Sequence, residues 1–181
     1  MLNNQEFTKV LFTNLIIIFL HSSFVTIVCS HLSFDFFNKD NRFTKIRKWE
    51  NNGKIYSDIF KIKLWKDVLP ELRLPTIQKF RKKSLDSTDP VYIGRFAAET
   101  RRSEFTHTII ILGACVFFYK DGLVMGSIIF SATLILNLPF IIIQRYNRPR
   151  MQRLLNKMNS QVLCDSLIHN NEEGVPYEQV V

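Results

Sequence analysis

The apolar stretch from Leu123 to Ile143 runs without interruption into Gln144-Arg145-Tyr146-Asn147-Arg148-Pro149-Arg150, so a membrane-length segment ends abruptly in a dense basic motif. That junction marks a membrane protein. A stop-transfer boundary needs only scattered lysines and arginines, whereas here three guanidinium groups are spaced by an asparagine, a tyrosine and a helix-breaking proline. Arginine forks match phosphate and carboxylate geometry in a way that lysine does not.

Two further apolar blocks precede it, Val10 to Val28 and Phe105 to Tyr119, separated by strongly polar sequence. A soluble protein would interleave such residues. Val10 to Val28 makes about 28 Å of helix, close to a hydrocarbon core of about 30 Å, and reads as a retained anchor rather than a cleaved signal. Phe105 to Tyr119 makes only about 22 Å, which draws polar groups toward the membrane. At 181 residues, 46% apolar and with a net charge of +8, the chain is one domain-sized unit. The fold expected is mainly α: a small integral membrane protein with about three transmembrane helices and a basic cytoplasmic, partly interfacial region.

The expected organisation is an N-terminal anchor over residues 1–32, a basic aromatic region over 33–104, a transmembrane hairpin over 105–143 and a basic motif with a mobile tail over 144–181. Between Ser33 and Glu104 lie 17 basic residues against 10 acids, which places that region in the cytoplasm and the N-terminus outside. Tyr119-Lys120-Asp121-Gly122 supplies the hairpin turn. Asp89 before Pro90 is a good helix start, so one helix is expected to run from Pro90 into the second span. Trp49, Tyr56, Phe60 and Trp65 alternate with Lys54, Lys61, Lys63 and Lys66, a pattern suited to an anionic bilayer surface more than to nucleic acid.

Cys29, Cys115 and Cys164 are too far apart for a disulfide framework or a zinc spacing, and no metal or other cofactor is expected. Cys29 lacks the small residue a lipoprotein site wants before it, and reads as an ordinary membrane cysteine. No histidine is followed by an aspartate five positions later, and no Gly-x-Ser-x-Gly elbow, phosphate-binding glycine loop or dinucleotide fingerprint occurs.

What remains is a small set of polar groups at the membrane edge. Glu104 and His107 are three apart on a helix, hence on one face, and form a minimal orienter and base pair; the bland alternative is a helix-stabilising surface pair. If the hairpin is centred between Lys120 and Asp121, residues whose numbers sum to about 241 face each other, which sets Asn137 opposite Glu104 to within about one helical turn. Pro139 frees the carbonyl of Ile135 nearby, so polar groups meet irregular backbone there. Asn137 is equally well read as an amide that glues two helices together. Arg145, Arg148 and Arg150 emerge at the same boundary, where they suit the phosphates of an acyl donor, lipid head groups or a topology signal.

These residues resemble a known family, the glycosyl-4,4'-diaponeurosporenoate acyltransferases of staphyloxanthin-type carotenoid synthesis. The resemblance is carried by Glu99-Thr100-Arg101-Arg102-Ser103-Glu104-Phe105-Thr106-His107, by Asn137 and Pro139 leading to the arginine motif, and more weakly by Trp49-Glu50, Gly53-Lys54 and Lys63-Leu64-Trp65-Lys66. It spans roughly Trp49 to Leu155, with a poor match from Leu69 to Asp89, and Thr108 stands where the family is expected to carry an aromatic residue. It implies a bacterial cell-membrane enzyme that esterifies a sugar hydroxyl of a carotenoid glycoside with a fatty acyl chain from CoA, a carrier protein or a phospholipid. Membrane lipid and other pigment-pathway enzymes are then the expected neighbours, with no nucleic acid. In the mechanism inferred from these residues His107 is the base, Glu104 orients it and Asn137 steadies the oxyanion. Arg102, Gln144, Arg145, Asn147, Arg148, Arg150, Trp65 and Lys66 are the expected substrate-binding set. A non-catalytic scaffold for pigment-making enzymes, or an acyltransferase for another glycolipid, are the competing readings.

Overall fold

The computed structural model describes residues 3–39, 42–68 and 90–172, and among these the regular structure is entirely helical. Helix α1 covers Asn4–His31 and is apolar around most of its surface, a composition consistent with membrane contact. Short helices α2 (Phe34–Asn38), α3 (Lys54–Asp58) and α4 (Ile62–Trp65) follow, with a 3₁₀ turn at Lys48–Gly53 leading into α3. Helix α5 covers Pro90–Gly113 and α6 covers Val116–Glu172.

Two helices are long and apolar enough to cross a membrane, α1 and α6, with mean hydropathy 2.0 and 2.1 over their most apolar windows. Phe12, Phe19, Leu20 and Phe24 of α1 point outward, where lipid chains would cover them. The third span expected at Phe105 to Tyr119 is not a separate apolar helix. Its first part is the end of α5, whose N-terminal half is charged, and its last part is the first turn of α6. Backbone hydrogen bonds from Phe117 and Phe118 to the carbonyls of Ala114 and Cys115 carry the chain across the break.

The chain reverses at Gly122, whose φ of 78° and ψ of −179° only glycine adopts without strain. Helix α5 and the long arm of α6 then pack antiparallel, so closely at the tip that a Cβ on Gly126 would lie 2.7 Å from Cα of Phe118. Because the turn falls at Gly122 rather than between Lys120 and Asp121, the facing register moves by about one helical turn from the expected one. Asn137 therefore meets His107 instead of standing level with Glu104.

Helix α1 is clamped to this hairpin at both ends. Asn14, fully buried, donates from Nδ2 to Asp121 at 2.9 Å and accepts from Lys120 Nζ at 2.9 Å. At the other end Arg102 donates to the carbonyl of Leu32 at 3.2 Å. The two clamps are 18 residues apart along α1, about 27 Å, which fits a bilayer core. Around and between them Ala114, Phe117, Met125 and Ile129 pack on Val10, Leu11, Ile17 and Ile18, followed by Val25, Cys29 and Ile110. Cys29 is buried in that packing.

The segment between α1 and α5 folds onto the base of the hairpin. Phe37 is buried edge-on against Phe36 and Phe105, which seats α2 on α5. Tyr56 and Ile62 pack on Ile142 and Tyr146 of α6. Asn51, Asn52 and Gly53 are consecutive left-handed residues, types that tolerate that conformation best, and they turn the chain from Glu50 into α3. Helix α6 runs through Pro149 and on to Glu172, so the proline does not end it, and the segment expected as a tail is helical that far. The connector from residue 69 to Asp89, with its proposed Asp89 cap, and the chain end after Glu172 lie outside the described residues.

Candidate active site

Two carboxylates and two guanidinium groups interlock where α5, α6 and the 3₁₀ turn meet. Arg145 Nη2 and Nε donate to Glu50 at 2.7 and 3.0 Å, and Nη1 donates to Glu104 Oε1. Arg148 donates from Nη2 to Glu104 Oε2, from Nη1 to the carbonyl of Thr44, and from Nε to Thr100 Oγ1 at 3.3 Å. Glu50 and Arg148 are fully buried, and Glu104 is 5% exposed. Charge is balanced within the knot. This is the condition under which ions are retained in an apolar setting, because an unpaired buried charge is far more costly.

Glu50 is the centre of the interfacial part. It also accepts from the backbone N–H of Arg47 at 2.8 Å and from the Tyr56 hydroxyl at 2.7 Å. Burial alone pushes its carboxyl upward, but the hydrogen bonds from Arg145, Arg47 and Tyr56, with the charge of Arg145, hold it below the ordinary carboxylate value. Tyr56 moves the other way: burial and the adjoining Glu50 carboxylate push its phenol up.

His107 lies one helical turn deeper on α5. Its Nδ1 is 2.8 Å from Asn137 Oδ1, and its ring stacks on Phe140 with centroids 4.8 Å apart. Asn137 donates its Nδ2 to the carbonyl of Thr133 at 2.8 Å, so its oxygen is turned to the histidine. An amide oxygen only accepts, which makes Nδ1 the protonated nitrogen of the neutral ring and leaves the basic lone pair on Nε2.

The contacts among these groups differ from those expected. Asn137, not Glu104, meets the His107 ring nitrogen, and the Asn137 amide donor is directed to Thr133 rather than toward an oxyanion. Glu104 gives one oxygen to each arginine, and Arg145 and Arg148 are engaged inside the protein. Arg150 is exposed, with its guanidinium over the Tyr146 ring and donating to the Tyr146 hydroxyl at 3.0 Å. Arg102 pairs with Glu99 at 2.8 Å and stands over Phe37. Gln144 is buried and Asn147 half-buried on α6. Trp65 donates to the Phe60 carbonyl at 2.8 Å, while Lys66 reaches Asp67 at 3.9 Å.

Glu50, Thr100 and Arg101 lie in the segments that carry the resemblance but are not among the expected catalytic or substrate-binding residues. Arg101 is buried and donates to the carbonyl of Phe37 at 3.3 Å, tying α2 to α5. The signal for Glu50 was charge balance: two arginines beside the single carboxylate of Glu104 call for a second one, and Glu50 is an acid inside the basic run from Lys45 to Lys54.

The knot and the histidine fall inside a segment shared with known proteins. Residues 39–157 match the model of the family described as Glycosyl-4,4'-diaponeurosporenoate acyltransferase, well over half of the chain. The chain belongs to that family. It is accordingly an acyltransferase, as the sequence resemblance implied. Among curated relatives of that name, one from Staphylococcus haemolyticus (strain JCSC1435) is 30% identical over 116 residues, 64% of this chain and 67% of its own. One from Staphylococcus aureus (strain bovine RF122 / ET3-1) is 32% identical over 120 residues, 66% of this chain and 72% of its own. Another, from Staphylococcus aureus (strain N315), is 34% identical over 107 residues, 59% and 64% of the two chains. No solved structure matches the chain.

Proposed function

We propose that this member of the family is an integral membrane enzyme that joins a fatty acyl chain to a sugar hydroxyl of a carotenoid glycoside, in the manner its relatives' name describes. The observation that carries the reading is the His107–Asn137 hydrogen bond of 2.8 Å, set one turn inside a neutral ionic knot at the end of two apolar helices. Both substrates are greasy with one polar end, so the ester forms where apolar helix gives way to charged groups, and holding the two there supplies much of the rate.

In this mechanism His107 Nε2 takes the proton of the sugar hydroxyl as its oxygen attacks the acyl carbonyl. Asn137 fixes the tautomer that makes Nε2 the base. The tetrahedral intermediate then collapses to the ester, and the departing group of the donor receives the proton from the imidazolium. The Glu50–Arg145–Glu104–Arg148 knot holds α5, α6 and the interfacial segment in register around the histidine. With the basic segment in the cytoplasm and the N-terminus outside, the site opens on the cytoplasmic side.

The test is lipid mass spectrometry on cells that make the carotenoid glucoside, with and without this protein. A mass gain of one fatty acyl group on the glucoside, seen only with the protein, is the expected result. No change, with the protein present in the membrane and acyl donors available, would overturn the assigned acceptor.

A further inference from the structure

On the face of α6 turned toward α3 and α4 lies a second basic feature that the knot does not use. A cavity of about 170 Å³ is lined by Asn52, Gly53, Lys54, Ser57, Lys63, Tyr146, Arg150 and Arg153, and no carboxylate contributes to it among the described residues. Among the described residues Lys54, Lys63 and Arg153 have no ion-pair partner, and Arg150 is held by Tyr146. Four cations converge on one concavity. All four side chains are exposed, so water moderates their repulsion, and together they make the concavity attractive to an anion.

The surroundings say what kind of anion. Tyr146, which forms one wall, belongs to the apolar cluster of Tyr56, Ile62 and Ile142 at the end of the α6 span, so the cavity sits at head-group level. Ile59, Phe60 and Leu64, close to Lys63 in sequence, are 66%, 44% and 80% exposed and form an apolar rim on the segment that also carries Lys54 and Lys63. A soluble anion would need the cations and not the rim. An amphiphile uses both.

We propose that this cavity binds the phosphate of a phosphorylated amphiphile, with Lys54, Lys63, Arg150 and Arg153 around the phosphate oxygens and the apolar portion lying on Ile59, Phe60 and Leu64. Its volume is several times the about 30 Å³ share of a water, enough for a phosphate ester group. The chemistry is shared by the phosphates of an acyl-CoA and by the phosphodiester of a membrane phospholipid. Binding stands independently of the acyl-transfer reading; only use of the cavity by the acyl donor rests on that reading. In either case the phosphate contacts pass from Arg145 and Arg148, which face carboxylates, to the cations of this cavity.

The full chain in neutral detergent micelles is titrated with palmitoyl-CoA, with phosphatidylglycerol and with dioleoylglycerol as the phosphate-free control, bound molecules being read by native mass spectrometry. The same is done with Lys63→Gln/Arg153→Gln and with the charge-conserving Lys63→Arg/Arg153→Lys, all at equal melting temperature. The expected result is at least about tenfold weaker binding of the phosphorylated ligands to the neutralised variant, retention by the charge-conserving one, and no comparable binding of dioleoylglycerol. Loss confined to palmitoyl-CoA supports the site as a donor pocket, and loss confined to phosphatidylglycerol supports it as a head-group pocket. Equal binding of dioleoylglycerol, or binding unchanged in the neutralised variant, overturns the proposal whether or not the protein transfers acyl groups.

Discussion

Replacing Arg148 by methionine removes the donor for three buried acceptors at once: Glu104 Oε2, the Thr44 carbonyl and Thr100 Oγ1. Methionine fills much of the volume, so the loss is electrostatic more than steric. Breaking one partner of a buried ion pair costs about 3–5 kcal/mol, because the other charge stays behind without compensation. At about 2–4 °C per kcal/mol for a chain of this size, the melting temperature in detergent should fall by roughly 6–20 °C. Removing both ends in Arg148→Met/Glu104→Met should recover much of that loss, since Arg145 keeps Glu50 and the arginine-to-carboxylate debt is gone. The assay is tryptophan fluorescence or light scattering against temperature in one fixed detergent. A single variant melting within about 3 °C of the parent, near 1 kcal/mol, would show that the knot does not hold the hairpin to the interfacial segment.

Asn137→Ala should lower acyl transfer by at least about tenfold at unchanged abundance and broaden its pH dependence, since the ring loses the partner that fixes its tautomer; unchanged kcat in a pH series would remove Asn137 from the mechanism. Glu50 titrates below its ordinary value of 4.5 in the fold, so its contribution to stability is complete above that pH and is lost as pH falls through the lower folded value. Melting curves between pH 7 and 3 should therefore steepen downward in acid, and Glu50→Gln should flatten that slope; parallel curves would refute the assignment. A Cβ on Gly113 would lie 2.1 Å from Nε2 of His21, a buried atom without a hydrogen-bond partner among the described residues. Gly113→Ala should cost about 1–3 kcal/mol despite its better helix propensity, and His21→Ala should rescue it, as measured by melting temperature. No loss in the single variant would mean that α1 does not rest on α5 as described.

The parts of the fold legible in sequence are those set by composition over long windows. Val10 to Val28 and Leu123 to Ile143 are apolar enough to declare a spanning helix without knowledge of any neighbour, and both lie in helices that can span. The block from Phe105 was harder, because its helix begins in charged sequence at Pro90 and α6 takes over at Val116. The position of the reversal depended on one residue: Lys120 and Asp121 are held helical by Asn14, a contact more than 100 positions away in sequence, and only Gly122 is left to turn. That shift carried Asn137 from Glu104 to His107.

Much the same holds for the ionic groups. Glu104, His107, Asn137 and the arginines stand out as polar residues at apolar boundaries, and local rules find them. Which carboxylate faces which arginine is a tertiary matter, and Glu50 reaches Arg145 across 95 positions with only charge balance to announce it. Pro149 likewise reads as a stop because the rule is local, whereas α6 continues across it as far as Glu172.

The central claim is that His107, held by Asn137, removes the proton in sugar acylation. The direct measurement is ester formation in membranes containing carotenoid glucoside and acyl donor, comparing the parent with His107→Ala at equal protein abundance. The account predicts a loss of about 10²–10⁴-fold in kcat with the protein still folded. Full activity in His107→Ala would contradict it.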